Sequence, residues 1–474
     1  MQDSFSRKIQ QLWNIKEEYK LKVFLLSLTF LLMTACLAIW RPLKVSVFAK
    51  MVGPEQVPNA KMWGLMLLIP LILFYSKLID VLRRHQRLYC FTIFHGIGGI
   101  IFYILLSDQS CGIANTIVDT NRLTGWAFYF FMESFDAFFA TSFWSFADSV
   151  NSPKDARNFY GYFVTGSKIG GMLGSGLLYL AITYGSSAAC VLLPNALLSG
   201  SIMLFAAAYS IMRLIKKVPE NIMHGYEAVY KIETKKERPK KGIIAAITSA
   251  LEGLIVTIKN PYVSGILSLV VFYEVVIVVF DYIVMIQANN SHGSVEGLTA
   301  FYATYYFNMN AIGLAIALFG TTPILRILGL RHSLLAYPIL TILLLTATAL
   351  SGFKWAFYIT LVGLRALNYA LNHPTREVLY IPTVKDIKFK AKTWTDAFGS
   401  RSGKFAGSVF NKFMWQNASS LATQASIFLS IGLTSTCLVI SYFLGRTFQH
   451  AVTNKKVIGA SSDSTEKAES FDLE

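Results

Sequence analysis

Charged residues standing inside long apolar runs carry most of the chemical information in this chain. Glu133 and Asp136 lie in "FYFFMESFDAFFATSFW", three positions apart and therefore on nearly the same face of a helix. Glu274 is central in "LSLVVFYEVVIVVFDYIV", with Asp281 seven residues later on roughly the same face. Lys168 sits in the glycine-rich "VTGSKIGGMLGSG", where small residues allow close helix approach. Arg365 lies in "LVGLRALNYALN", and Arg401 and Lys404 stand one turn apart in "GSRSGKFAGSVFNKFMW". Arg41, Lys44 and Lys50 close the run "ACLAIWRPLKVSVFAK". Each such charge costs about 2.5–3.5 kcal/mol at the centre of a membrane helix, so each needs a partner or a use. One reading is a set of acid–base pairs that lock helices together. The other is a cavity with fixed cations, which suits a polyanion because Lys and Arg hold phosphate oxygens through charge-assisted hydrogen bonds. The set comes from both halves of the chain, with bases beside the acids, and this favours the second reading.

The elements that must position these groups are membrane helices. Of 474 residues, 54% are hydrophobic and only 15% charged, where a soluble chain carries about 25% charged residues. Apolar windows of roughly 20 residues, enough to cross a bilayer, recur from end to end, whereas a β-barrel would show short alternating strands. The chain reads as an all-α membrane protein of twelve spans: 22–42, 62–81, 88–107, 124–149, 160–184, 188–212, then 262–288, 300–325, 333–352, 354–372, 399–415 and 420–445. The net charge of +16 belongs to loops such as "RRHQR", "PKDAR", "KIETKKERPKK", "LRILGLRH" and "VKDIKFKAK". The opposite loops, such as "NNSHGSVEG", are nearly free of Lys and Arg. That asymmetry puts both termini in the cytoplasm and makes nucleic acid an unneeded partner. Residues 1–212 form one six-helix half and 261–446 the other. Residues 213–260 are a basic linker with an amphipathic surface stretch, "GIIAAITSALEGLIVTIKN", and 447–474 a disordered tail. Two six-span halves about a basic loop are the signature of the major facilitator architecture, with its site near the midplane between the halves. Short basic turns after the second and eighth spans, "KLIDVLRRHQRLY" and "PILRILGLRHSLL", echo one another.

Other chemistries find no support. There is no Walker GxxxxGK[ST], no Ser/His/Asp arrangement and no HExxH, so neither an enzyme nor nucleotide hydrolysis is expected. The five cysteines, Cys36, Cys90, Cys111, Cys190 and Cys437, are scattered without metal or disulfide spacing. No metal or cofactor is expected. The N-terminus reads as neither a signal nor a transit peptide, which points to a bacterial inner membrane. The many aromatics are assigned to lipid and interface positions.

Several segments resemble the nucleotide transporter family of plastids and obligate intracellular bacteria, the ATP/ADP translocases. "WRPLK" resembles that family's Arg–x–x–Lys element near the first span. "FFMESFDAFFATSFWSFADSVNSPKDARNFYGYF" is similar to its fourth span and following loop. "PTREVLYIPTVKDIKFKAK" resembles its Thr–Lys–Glu…Tyr–Ile–Pro segment with a following lysine run, and "GSRSGKFAGS" its Gly–x–Arg–x–Gly–Lys element. The resemblance implies substrate-binding roles for Lys44, Glu133, Glu274 and Lys404. Arg41, one turn from Lys44, shares the phosphates. Lys168, Asp281, Arg365, Arg376 and Arg401 are secondary candidates. Three departures bear on substrate choice: Val45 replaces the usual Asp, Arg376 replaces Lys in Thr375–Arg376–Glu377, and Lys168 stands where a neutral residue is usual. The implied activity is nucleotide transport by alternating access, with ATP/ADP exchange foremost and a monomeric carrier expected. In the empty carrier Glu133 and Glu274 would pair with the cations. The alternatives are a proton-coupled nucleotide carrier, an NAD carrier or carrier of another anionic metabolite, and a non-transporting sensor or scaffold.

Overall fold

The computed structural model describes residues 16–223 and 255–459, apart from 152, 186–187, 220, 256, 320, 352, 354, 369–371, 385–386, 388–390, 393–394 and 455–456. These residues are almost wholly helical. The first half supplies α1 (Glu17–Met51), α2 (Val57–Val81), α3 (Arg84–Ser107), α4 (Leu123–Val150), α5 (Pro153–Tyr184) and α6 (Ala189–Lys217). The second supplies α7 (Pro261–Ser291), α8 (Val295–Phe319), α9 (Thr321–Leu350), α10 (Ala356–Leu367), the short α11 (His373–Leu379), α12 (Ser400–Asn417) and α13 (Ser419–Thr453). Among the described residues, six helices are long and apolar enough to cross a membrane: α1, α3, α6, α7, the Leu330–Leu350 part of α9, and α13. Two of these, α1 and α7, carry Arg41, Lys44, Glu274 and Asp281, whereas the less apolar α12 holds Arg401, Lys404 and Lys412 within 18 residues.

Several boundaries differ from the sequence expectation. The basic stretch "LRILGLRH" is no turn but lies within α9, whose start at Thr321 precedes it. The punctuation that matters there is Gly320–Thr321–Thr322–Pro323, because Pro is tolerated in the first turn of a helix. "PKDAR" is likewise the first turn of α5, opened by Pro153. The window 354–372 divides between α10 and α11. The tail starts later than residue 447. Helix α13 runs to Thr453, and Ile458 docks by donating its amide to Pro382 O (2.8 Å) while accepting from Val384 N (3.1 Å). Gly459 follows with φ +89°, a left-handed backbone that glycine takes without strain. The first 15 residues, most of the 213–260 linker with its amphipathic stretch, and residues 460–474 lie outside the described residues.

The chain resolves into two compact units. Unit 1 comprises Met1–Pro54, Met66–Arg238 and His292–Leu314; unit 2 comprises Glu55–Leu65, Pro239–Ser291 and Ala315–Glu474. In unit 1, α1 is the central helix and packs on α4, α5 and α6; α3 packs on α4 and α6. In unit 2, α7 is central and packs on α10, α12 and α13; α9 packs on α10 and α13. The centrality of α1 follows from its sequence: Met33, Cys36, Trp40, Val47 and Phe48 are all fully buried, and burying such side chains is worth about 1.5–3 kcal/mol each.

Glycines set how closely the helices meet. Along α5, Gly166, Gly170 and Gly174 face Ser27, Leu31 and Ala35 of α1, and a Cβ on Gly170 would lie 2.2 Å from the Leu31 carbonyl oxygen. This is the close approach expected of the glycine-rich span. Along α12, Gly399, Gly403 and Gly407 face Leu267, Val271 and Val275 of α7, and a Cβ on Gly403 would lie 2.6 Å from the Val271 carbonyl oxygen.

Candidate functional site

The unit 1 cluster is built on the α1–α4 contact. Trp40 sits in a slot made by Gly99 and Gly200, where a Cβ would fall 2.7 and 2.2 Å from its ring atoms. Its indole N–H donates to Leu197 O at 3.3 Å, and its ring packs on Phe131 and Phe135 of α4. With Trp40 held on that face, the following turn presents Arg41 and Lys44 to α4. Pro42 between them lacks an amide hydrogen, and Ser46 Oγ donates to the Pro42 carbonyl at 2.9 Å. Asp136 accepts on both oxygens: Arg41 Nε donates to Oδ1 at 2.8 Å and Lys44 Nζ to Oδ2 at 2.6 Å. Lys44 also donates to Glu133 Oε2 at 3.1 Å. The side chains are 12% exposed at Lys44, 17% at Asp136, 25% at Glu133 and 33% at Arg41, so the cluster is partly buried. Tyr129 and Tyr306 place ring faces 5.6 Å from the Lys44 ammonium and 5.9 Å from the Arg41 guanidinium. Two positive and two negative groups balance here. An entering anion gains by taking the cations away from the carboxylates, not by neutralising an idle charge.

Unit 2 holds a second cluster. Lys61 Nζ donates to Asp281 Oδ2 at 2.7 Å, and an Arg365 terminal nitrogen stands 3.6 Å from Asp281 Oδ1. Glu274, two turns before Asp281 on α7, accepts from Ser400 Oγ at 2.7 Å. This differs from the expected pairing of Glu274 with a cation, for among the described residues it makes no ion pair. Gly403 brings α12 so close that the first residue of that helix, Ser400, meets the carboxylate. Lys404, one turn further along α12, is exposed and makes no ion pair among the described residues. Arg401 lies on the same turn, half-buried. Arg376 on α11 keeps its Nε buried without a hydrogen-bond partner among the described residues, and Tyr337 is within electrostatic reach of both Arg376 and Glu274. Lys168 on α5 points toward α8 of the same unit, its Nζ 3.4 Å from where a Cβ on Gly313 would sit.

Sequence reasoning flagged Asp136 only as a neighbour of Glu133, although it holds both cations. It missed Lys61, placed at the mouth of a span. It also missed a repeat that would have exposed both. "WAFY" at 126–129 recurs at 355–358, and "GSK" with glycines at 170 and 174 recurs as "GSR" with glycines at 403 and 407. The structure aligns these copies. Ser167 accepts from Thr34 Oγ1 at 3.1 Å where Ser400 donates to Glu274, and the two glycine ladders match rung for rung. In this register Arg41 of α1 corresponds to Asp281 of α7, and Asp136 of α4 to Arg365 of α10. Each half thus joins its first helix to its fourth by one acid–base pair, with the charges exchanged.

Among the described residues no group of three or more His, Cys, Asp or Glu could hold a metal. Cys36 and Cys437 are buried core residues, whereas Cys90 is exposed and Cys111 and Cys190 are half-buried.

Comparison with known proteins places the molecule. The solved structure of a bacterial homologue of the iron transporter ferroportin, inward-facing, shares the fold with a TM-score of 0.60 at 12% identity, over 89% of this chain and 98% of that one. A D-xylose–proton symporter does so at 0.56 and 12%, over 90% and 96%. These likenesses bear out the all-α, major facilitator-like membrane fold. ADP,ATP carrier protein 1 of Chlamydia muridarum is 23% identical over 487 aligned residues, 90% of this chain and 88% of that protein. The chloroplastic ADP,ATP carrier protein 1 of Arabidopsis thaliana is 24% identical over 79% of this chain and 65% of its own length. The family described as TLC ATP/ADP transporter matches residues 1–364 and 357–444. On that match, which takes in both ion-pair clusters, the chain belongs to the TLC ATP/ADP transporter family.

Proposed function

We propose that this multi-pass membrane protein exchanges ATP for ADP by alternating access. Lys44, Arg41 and Lys404 neutralise the phosphates. Glu133 and Glu274 orient the remainder of the nucleotide, and in the empty carrier Lys44 stays bound to carboxylates. The observation that carries this reading is the Lys44–Arg41 pair, held by acids in a partly buried cluster of a chain from this family. Such a cluster suits strict exchange. An anion that leaves gives its cations back to the acids, and the conformation that reorients is the loaded one. The carrier works as a monomer in a bacterial inner membrane with both termini cytoplasmic, consistent with the basic loops.

The test is uptake of labelled ATP into proteoliposomes. Uptake only into vesicles preloaded with ADP supports exchange. Uptake driven by an imposed proton gradient without preloading would replace it with a proton-coupled carrier. Exchange of NAD in place of ATP would move the substrate to dinucleotides.

A further inference from the structure

Arg376 on α11 is placed differently from Lys61, Arg365 and Lys392 of the same unit. Lys61 and Arg365 face Asp281, and Lys392 donates to Glu377, the residue that follows Arg376. Arg376 itself makes no ion pair and no hydrogen bond among the described residues. Its Nε is buried in that state, and leaving a buried donor unsatisfied costs at least about 1–3 kcal/mol. Its terminal nitrogens are not covered.

The neighbours put this guanidinium at membrane depth. Tyr337 of α9 is within electrostatic reach of Arg376 and of Glu274, which stands near the middle of the 31-residue α7. Tyr337 is buried and packs with Tyr273, Ile316, Ala336 and Leu367, the Tyr273 ring lying edge-on at 6.4 Å. An arginine at such depth needs a partner or a use. Two acids lie in its neighbourhood, Glu377 next in sequence and Glu274 beside the same tyrosine, and neither pairs with it. Glu377 is held by Lys392, and Glu274 accepts from Ser400. A residue that served to pin α11 would take one of these carboxylates. The position offers instead a guanidinium whose outer donors an anion engages without first displacing an acid, in contrast to Arg41 and Lys44 on Asp136. Its planar fork matches phosphate oxygens, two at a time.

We propose that Arg376 binds the phosphate groups of the nucleotide from unit 2, through the terminal nitrogens of its guanidinium. The proposal rests on the nucleotide-transport reading above and gives a role to a residue that reading leaves without one.

The experiment measures dissociation constants of the purified full-length protein for ATP, inorganic pyrophosphate and adenosine, in the parental chain, Arg376→Gln and Arg376→Lys. Thermal unfolding of each ligand-free protein accompanies it. Arg376→Gln is expected to weaken ATP and pyrophosphate about ten-fold or more, the loss of one charged hydrogen-bonding group, and adenosine less than about two-fold. Its thermal midpoint does not fall, because no ion pair or hydrogen bond goes with the guanidinium. Arg376→Lys keeps the charge without the fork and binds phosphate with intermediate strength. Unchanged ATP and pyrophosphate binding in Arg376→Gln, or an equal loss for all three ligands, overturns the proposal, since a packing role does not distinguish phosphate from nucleoside. If Arg376→Gln gives no folded protein, Arg376→Lys decides by the same comparison. A loss selective for ATP and pyrophosphate then supports the site, and a uniform or absent loss overturns it. A parental protein that binds neither ATP nor pyrophosphate refutes the transport reading itself. A parental protein that binds both, with Arg376 variants that match it, refutes only this site.

Discussion

Asp136 accepts from two cations at once, and this makes Lys44 both available and guarded. Replacing Lys44 by Ala removes an ammonium that donates to Asp136 and Glu133, and truncating one member of such a buried pair typically costs about 2–5 kcal/mol. The expected result is a fall in ADP/ATP exchange of about thirty-fold or more in proteoliposomes, with the protein still recovered. Exchange at the parental rate in Lys44→Ala, or in Lys404→Ala, would remove that residue from the site. Trp40 is the positional counterpart. It is fully buried in its glycine slot, so Trp40→Ala should lower stability by about 3–5 kcal/mol, read as a large drop in thermal midpoint, and take exchange with it. Outside the membrane, Asp108 at the end of α3 accepts from the Ser110 hydroxyl and the Ser110 and Cys111 amides, which hold its carboxyl well below the usual carboxylate range. The sign follows. A lowered folded value contributes order that is fully present above the ordinary value of about 3.9 and is lost only as pH falls through the depressed one. Protection of the Ser110 and Cys111 amides should therefore hold from neutral pH to below the ordinary carboxylate range and fall only in stronger acid, whereas in Asp108→Asn, which has no carboxyl to titrate, it should be weaker and unchanged by pH.

Helices hold these residues by close approach. A methyl group on Gly170 or Gly403 meets a carbonyl oxygen of the central helix at 2.2 or 2.6 Å. Gly170→Ala and Gly403→Ala should each therefore force α5 or α12 outward at about 1–3 kcal/mol. Thermal unfolding of the purified variants checks this, and Gly161→Ala, where a Cβ meets nothing within 4 Å, serves as the control. The inverted pair gives a sharper expectation. Asp136→Arg alone places three cations together and should prevent folding. Arg41→Asp/Asp136→Arg reproduces the polarity of Asp281 and Arg365 and should restore a monodisperse protein, though not exchange, because Lys44 then faces an altered partner. Hydropathy made the helices legible in the sequence, and membrane depth made Glu133, Glu274 and Lys404 legible. Lys61 was not, because it stands four residues into α2, at the edge of an apolar run, where a lysine looks like an interfacial anchor. The start of α9 differs from expectation because basic residues normally mark a loop, while the Gly–Thr–Thr–Pro break begins ten residues before "LRH". The pairing of Asp136 with two cations depends on which turn of α1 faces α4, and only the packing of Trp40 decides that.

At the scale of the molecule, the two units are not the two halves of the sequence. Residues 292–314 belong to unit 1, tied there by Lys50 donating to His292 O at 2.8 Å and by Ser46 and Thr299 hydroxyls 2.6 Å apart. Residues 55–65 belong to unit 2, tied by Lys61. A chain leaves the ribosome from its N-terminus, so the earlier unit stays unfinished until its borrowed stretch near residue 300 has been made. A gene cut within the linker should then yield two fragments that are each unstable when expressed singly and that recover together, because each carries a strip the other lacks. Co-expression with gel filtration would show it. Biogenesis of this carrier is thus a matter of late completion, with neither lobe able to mature before most of the message has been read.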